Sequence, residues 1–517
     1  MRIASVPGRT LELLGSAPEA LSTLQRGIEK ESLRVACDGM LSHGPHPKAL
    51  GSPLTHPQIT TDFSEAQLEL ITGVHTSPEA CLDELADVHR FVYANIGDEL
   101  LWPASMPCML PADGDIPLGQ YGTSNVGQSK TVYRRGLANR YGAVMQTISG
   151  IHYNFSAPDA LFNVLGLSDQ QARTDAYFGL IRNFRRYAWL LIYLFGASPS
   201  ICRSFATSQS QHLEPFDEGS LYLPDATSLR MGPLGYQSDA QRGLHMSYNS
   251  LDEYAETMRT ALTRSYPDYE AIGTLGADGE YQQLNTSLIQ IENEFYGSIR
   301  PKNPVQTGER PLTALTNRGV KYVEVRCLDL NPFLRLGIDD VQIRFLDTFL
   351  LYCLLTDSPP DSPEESRQMH TNQVNVVRRG RDPELQLDLN GASGNVRDIG
   401  CALIDACAPL ANRLDEATGT SAYSQSLAIQ RTKMEDASRT PSARMLATMT
   451  QQKLSYFRFT MNQAISHQGY FEEHPLLGAN RDAFIARAAE SLERQAEIEA
   501  ADELDFAGYL EQYLALP

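Results

Sequence analysis

Carboxylates recur in the most strand-like parts of this 517-residue chain. TTDFSEAQLELIT, Thr60 to Thr72, puts Asp62, Glu65 and Glu69 among apolar residues that a packed core would take. RGIEKESLRV sets Glu29 and Glu31 two residues apart, which places both on one face of a strand, although its other face, with Lys30 and Ser32, is not cleanly apolar. KYVEVRCLDL repeats the design: Val323, Val325 and Cys327 share one face, and Tyr322, Glu324 and Arg326 share the other. AVMQTISGIHYNFS reads as a strand with Gln146, His152 and Asn154 on one side, where Gly150 leaves room for close approach of a ligand or a backbone. SLIQIENEFYG, Ser287 to Gly297, also reads as a strand, with Ile289, Ile291 and Phe295 opposite Gln290, Glu292, Glu294 and Tyr296.

Taken singly, each polar face is simplest as the solvent side of an antiparallel sheet. Solvent faces mix signs, however, whereas these acids are accompanied mainly by Tyr, Gln, Asn and one His, with Arg326 the strong cation. If the strands share a sheet, the carboxylates converge and must raise one another's pKa or hold a cation between them. Oxygen ligands with a single imidazole suit Mg²⁺ or Mn²⁺ rather than Zn²⁺. Because Mg²⁺ is commonly shared with substrate phosphates, the pattern points to ATP chemistry. A Walker loop does not supply it: GTSNVGQSK, Gly122 to Lys130, has the glycine spacing but not the Gly-Lys-Ser/Thr order that cradles phosphates. The chain also lacks G-x-G-x-x-G, H-E-x-x-H and G-x-S-x-G.

Among the elements that must carry these groups, PEACLDELADVHRFVYANIGDEL and the region Gln170 to Phe195 have helical spacing. The apolar run YAWLLIYLFGA, Tyr187 to Ala197, is about half the roughly 20 residues of a bilayer crossing and reads as a buried helix. TDSPPDSPEESRQ, Thr356 to Gln368, reads as an exposed loop, after which the chain looks mainly helical. From Asn480 onward, strong helix formers and pairs such as Glu490 with Arg494 predict a solvated amphipathic helix packed on the body. The formal charge of −20 argues against nucleic-acid binding, and a small anionic substrate then needs cations or local arginines. The eight cysteines form no C-x-x-C pair and read as reduced, mostly buried thiols. The N-terminus has no apolar stretch of signal-peptide length, so a cytoplasmic location with no membrane association is expected.

The strings QRGIEKESLRV, THPQITTDFSEAQLELIT, LWPASMPC, QYGTSN, NRYGAVMQTISGIHYNF, YLFGASPSIC, ATSLRMGPLGY, IQIENEFYGSIRPK and YVEVRCLDLNPF, in this order between about Thr23 and Phe333, closely resemble the glutamate–cysteine ligase family of gamma-proteobacteria. The resemblance implies an α+β, glutamine-synthetase-like fold: a curved, mainly antiparallel sheet forming an active-site funnel, with helices outside. It implies one catalytic domain over 1–517, with a core at approximately 20–355 and a mainly helical part at approximately 370–517. It implies that ATP phosphorylates the γ-carboxyl of L-glutamate and that the amine of L-cysteine displaces phosphate to give γ-glutamylcysteine, the first step of glutathione synthesis. Carried over by motif, Glu29, Glu31, Asp62, Glu69, His152 and Glu324 are the implied ligands of Mg²⁺ (or Mn²⁺), and Arg326 is the implied catalytic cation on the transferring phosphoryl group. Phe63, Tyr133, Leu137, Gln146, Tyr236 and Tyr296 are the implied cysteine pocket, and Arg230 the implied partner of an amino-acid carboxylate. Glu65, Glu292 and Glu294 belong to matching strings without an assigned role. The resemblance further implies a monomer, with glutathione as an inhibitor competing at the glutamate site. Lys30 and Ser32 stand where Arg and Thr are expected, and Cys327 where Ser is common; none removes an implied ligand.

Two rivals stay open on the residues. A related ligase that activates glutamate but accepts a different amine would need the same metal ligands. An acidic protein that merely binds divalent cations would need the acids, but would give Arg326 and Arg230 nothing to hold.

Overall fold

The computed structural model describes residues 3–206, 210–235, 240–306, 308–389 and 391–515. Seven strands form the main sheet: β1 (Gln25–Val35), β2 (Ile59–Thr61), β3 (Gln67–Ile71), β4 (Leu100–Leu101), β5 (Ile151–Ser156), β6 (Ile299–Lys302) and β7 (Tyr322–Leu328). Their spatial order is β2-β3-β1-β5-β7-β6, with β4 pairing the end of β1, and every pairing is antiparallel. The helices that frame it are α1 (Pro78–Tyr93), α2 (Asn125–Tyr141), α3 (Gln170–Phe195), α4 (Asp340–Leu355), α5 (Pro363–Arg379), α6 (Val396–Thr418), α7 (Gly478–Ala500) and α8 (Phe506–Leu514). The α+β class, with a mainly antiparallel sheet and helices outside it, is therefore the one expected.

Period-two patterning decides which way the sheet faces. On β7, Val323, Val325 and Cys327 point into the core with β5 residues Ile151, Tyr153 and Phe155. The long apolar helix α3 packs there against α4, with Phe184 and Phe195 edge-on to Phe349 and Phe345. Each such fully buried side chain contributes about 1.5–3 kcal/mol. This packing uses the run Tyr187 to Ala197 as interior, and among the described residues no helix is long and apolar enough to cross a membrane. The core face of β1 carries polar groups because each has a partner. Arg26 forms a buried ion pair with Asp347 of α4 at 2.9 Å, and Tyr153 donates to the same carboxylate at 2.5 Å. Lys30 Nζ lies 2.8 Å from His89 Nε2 on α1 and 3.0 Å from Ser32 Oγ.

Several local expectations are corrected. Ser287–Gly297 is not a strand: it is irregular, with a single 3₁₀ turn at Glu292–Glu294. Its acids satisfy local donors instead of flanking a ladder: Glu294 accepts from the Gln290 amide at 2.8 Å, and Glu292 pairs with Arg310 at 3.0 Å. The expected strand over Ala143–Ser156 divides into a short helix, Ala143–Gln146, and β5, so Gln146 reaches the site from a helix. Gly150 does allow a close approach, by a side chain: a Cβ there would fall 1.9 Å from a guanidinium nitrogen of Arg230. In TTDFSEAQLELIT the strand stops at Thr61, and Glu65 sits in the turn, accepting from the amides of His46 at 2.9 Å and Gln120 at 2.7 Å. Thr356–Gln368 is only half a loop: Thr356 and Asp361 are buried, and α5 begins at Pro363 with Ser362 as its N-cap. Cys108 and Cys202 are disulfide-bonded, whereas the other six cysteines are free and four of these are buried. The C-terminal region is helical as expected but includes a small antiparallel pair of strands, Gln386–Leu389 and Ala392–Asn395, and the tail forms α7 and α8 with Glu490 and Arg494 at 4.0 Å.

Candidate active site

Strand register places the acids together. Glu31 lies opposite Glu69, Glu29 opposite His152, and Glu324 opposite Asn154, so four adjacent strands present these side chains on the face away from the core. His152 is the hub. Its Nδ1 lies 3.2 Å from Glu29 and 3.4 Å from Glu324, and its Nε2 lies 3.5 Å from Glu31. Two donor sets result, Glu29–His152–Glu324 and Glu31–Glu69–His152, each with its atoms within 4.8 Å of one another. Asp62, just past β2, faces the same cavity but belongs to neither set.

Cations stand on one side of this array. Arg326 meets Glu324 Oε1 at 3.0 Å, Lys302 meets Oε2 at 3.1 Å, and Arg300 approaches Oε2 at 3.9 Å. The asymmetry divides the acids. Burial raises the Glu324 pKa, but Lys302, Arg326, His152 and Arg300 outweigh it and hold the carboxyl well below the usual range. Burial likewise opposes ionisation of Glu29, and its hydrogen bond with His152 is the main influence that carries it below its usual value. Glu69 is pushed the other way: burial and then Glu29, Asp62, Glu31 and Glu324 carry it well above the ordinary carboxyl value, and burial with Asp62 raises Glu31. Buried carboxylates that resist ionisation together are what a divalent cation relieves. His152 Nε2 is also buried without a hydrogen-bond partner, so the donor set fits a hard cation with one imidazole ligand.

The acids form the floor of a cavity of about 470 Å³. Helix α2 forms one wall, because Lys130, Tyr133, Arg134 and Leu137 recur at helical spacing on its inner face. Phe63, Gln146 and Tyr296 complete that end, with Gln146 donating to the Tyr296 hydroxyl at 3.1 Å and Tyr296 edge-on to Tyr141 at 6.0 Å. Of the residues singled out in the sequence, Glu29, Asp62, Glu69, His152, Glu324, Arg326, Phe63, Tyr133, Leu137, Gln146 and Tyr296 line this one space. Glu31 lies beneath it, accepting from the Gly150 amide at 2.7 Å. Arg230 is fully buried behind Arg326, donating to its carbonyl at 3.1 Å and lying 3.7 Å from Asp329, and does not line the cavity. Tyr236 lies outside the described residues.

Sequence reasoning overlooked the basic residues Lys130, Arg134, Arg300 and Lys302, and Tyr513 from the far C-terminus. A signal existed for two of them, since SIRPK puts Arg300 and Lys302 at strand spacing, and they pair across from Glu324 and Tyr322. Lys130 ends the rejected phosphate-loop string, yet its helix directs it at the cavity.

Comparison with known proteins agrees with this geometry. A family profile described as glutamate-cysteine ligase matches residues 11–376. The chain is 50% identical over 513 residues to the glutamate–cysteine ligase of Pseudomonas putida, covering 98% of both proteins. It is 48% identical over 516 residues to that of Alcanivorax borkumensis, covering 97% of both. Among solved structures, it superposes on a glutamate–cysteine ligase from Francisella tularensis in complex with AMP at a TM-score of 0.90, with 36% identity over 95% of this chain and 97% of that one. A bifunctional glutathione synthetase from Pasteurella multocida matches at a TM-score of 0.70 and 25% identity, over 90% of this chain and 55% of that one. With half its residues identical along nearly the whole length of such enzymes, and its acids gathered by register into one cavity, the chain belongs to the glutamate–cysteine ligase family.

Proposed function

We propose that this protein is an ATP-dependent carboxylate–amine ligase that joins the γ-carboxyl of L-glutamate to the amine of L-cysteine, giving γ-glutamylcysteine, ADP and phosphate. The observation that carries the reading is the joining of two buried acid–histidine sets to a row of cations within one cavity. A carboxylate is a poor acyl donor because its leaving group would be oxide, so ATP must first phosphorylate it. Lys302 and Arg326, held beside the acids, are positioned to take the charge that spreads over the transferring phosphoryl oxygens. Arg326 suits this role because its planar, permanently charged fork can bond two phosphoryl oxygens at once. The two acid sets, with Asp62 beside them, would hold Mg²⁺ or Mn²⁺, which when bound neutralises triphosphate charge against the protein's own carboxylates. The aromatic and amide groups Phe63, Tyr133, Leu137, Gln146 and Tyr296 form the end that suits a small thiol amino acid, and Tyr236 keeps its proposed place there from the family pattern. Arg230, buried behind Arg326, is assigned to substrate carboxylate through the same pattern.

The same reading treats the chain as one catalytic domain. A continuous apolar core runs from Val6 to Ala488 and includes both the back of the sheet and the C-terminal helix α6. It makes the enzyme a cytoplasmic monomer, with glutathione competing at the glutamate site. The deciding experiment is phosphate release from Mg²⁺ and ATP with glutamate alone, cysteine alone, both, or glutamate with 2-aminobutyrate. Release that requires glutamate plus cysteine, with γ-glutamylcysteine in the product, is expected. Release with glutamate and a different amine only would keep the activation chemistry and change the acceptor, while no turnover in any mixture would refute the ligase reading.

A further inference from the structure

Tyr513 lines the reaction cavity although it lies in α8, beyond residue 376 where the family profile stops. Its helix is strapped to the active-site wall rather than to the body of the protein. The end of α7 and the segment after it hold the start of α2: Glu499 accepts from the Thr123 amide at 2.8 Å, Asp502 accepts from the Asn125 amide at 2.5 Å, and Asn125 Nδ2 donates to the Leu504 carbonyl at 2.9 Å. An anion at that position also complements the positive end of the helix. α8 itself buries Leu510 with Val132 of α2 and Leu284 in a small apolar cluster separate from the two main cores. Phe506 meets Tyr281 edge-on at 4.9 Å, and Tyr509 stacks on Tyr513 at 5.8 Å. Arg310, itself fixed by Glu292 at 3.0 Å, lies 5.6 Å from the Tyr513 ring centre.

What α8 brings to the cavity is thus aromatic area on an anchored helix. The proposed reaction passes through a γ-glutamyl phosphate, which water can hydrolyse by attack at the same acyl carbon that the amine attacks. In the productive step the cysteine nitrogen forms the C–N bond while the C–O bond to phosphate breaks. If water enters instead, its oxygen forms the new C–O bond, phosphate leaves as before, and glutamate is returned with the ATP spent. Excluding water from such a site is a recognised function of closing elements. Resting on the ligase reading above, we propose that α8 is a water-excluding wall that keeps ATP use coupled to dipeptide formation, with Tyr513 as the residue that closes it.

The test compares phosphate released with γ-glutamylcysteine formed in the same reaction, at saturating Mg²⁺, ATP, glutamate and cysteine, for the full chain, Tyr513→Ala, Tyr513→Phe and a chain ending at Asp505. The full chain is expected to give a ratio near one. Tyr513→Ala and the shortened chain are expected to raise it to about two or more, because water then competes with the amine. Tyr513→Phe, which keeps the ring, is expected to restore the ratio. The shortened chain removes Phe506, Tyr509 and Leu510 from the small cluster and no residue from the two larger apolar clusters. A ratio of one in both disrupted proteins, whether or not their overall rate falls, would overturn the inference by reducing α8 to a structural strap. Absence of γ-glutamylcysteine from the full chain would instead refute the ligase reading, and the inference with it.

Discussion

At the scale of single residues, Glu324 links both halves of the site. It joins the Glu29–His152 set, accepts from Arg326 and forms an ion pair with Lys302, and these charges hold it ionised against its burial. Glu324→Gln keeps the volume but removes the charge and turns an amide donor toward cations. Turnover is expected to fall by about 100-fold or more, since even indirect supports of a metal site cost 10–100-fold. The folded state should persist, with near-ultraviolet circular dichroism unchanged; full turnover at saturating Mg²⁺ would remove Glu324 from the metal set. The acids were legible in the sequence because period two on β1 and β7 is a strong constraint, and because a face rich in Glu with one His is unlike an ordinary solvent face. Arg300 and Lys302 were less so: SIRPK has strand spacing, but nothing in so short a string shows that it will pair with β7, across from Glu324 and Tyr322.

At the scale of elements, the sheet is positioned by a glycine and a buried arginine. Gly150, just before β5, gives the Arg230 guanidinium the space that a Cβ would fill, and its amide holds Glu31. Gly150→Ala should therefore displace Arg230 or the strand, costing about 1–3 kcal/mol from overpacking. Thermal unfolding measures that cost, and an unchanged melting temperature would mean that the guanidinium moves aside freely. Where such side-chain bonds dominate, strand patterning misleads: Ser287–Gly297 alternates well, yet Glu292, Glu294 and Gln290 are each engaged by local partners, so no ladder forms. The Ala143–Ser156 string fails for a related reason, since the close approach that Gly150 permits comes after a helical turn that a two-residue period cannot register. Helix ends carry a second prediction. Lys433, on the helix Ala422–Glu435, donates to the Leu194 carbonyl at the C-terminal end of α3 at 3.3 Å, and burial pushes its pKa down to about 8. A lysine lowered from 10.5 to about 8 leaves the unfolded chain binding more protons between those values, so its contribution raises stability as pH rises through that window. Lys433→Met should flatten that rise, by at most about 3 kcal/mol between pH 8 and 10.5. Melting curves of both proteins across this range check it, and parallel pH profiles would show that the ammonium is well solvated.

At the scale of the whole molecule, the same arrangement poses an electrostatic problem. A chain of net charge −20, with two sets of carboxylates on the floor of its cavity, must accept a polyanionic nucleotide. Lys130, Arg134, Arg300, Lys302 and Arg326 line that cavity, but Lys302 and Arg326 are already engaged with Glu324. On the metal site proposed above, the local cations are shared between the acids and a triphosphate, so divalent cation and nucleotide are expected to bind as mutually dependent ligands. This dependence is readable as stability, because a ligand that binds only the folded state at 100 times its dissociation constant adds about 2.7 kcal/mol. With an unfolding entropy of about 2 cal/mol/K per residue, that corresponds to a rise in melting temperature of roughly 2–3 °C for a chain of this length. Mg²⁺ with a non-hydrolysable ATP analogue should produce this shift, whereas the analogue with EDTA should produce little, and Glu324→Gln should lose most of it. An equal shift by the nucleotide in EDTA would show that arginines and lysines suffice to hold the triphosphate, and that the acids serve some other end than the joint capture of metal and ATP.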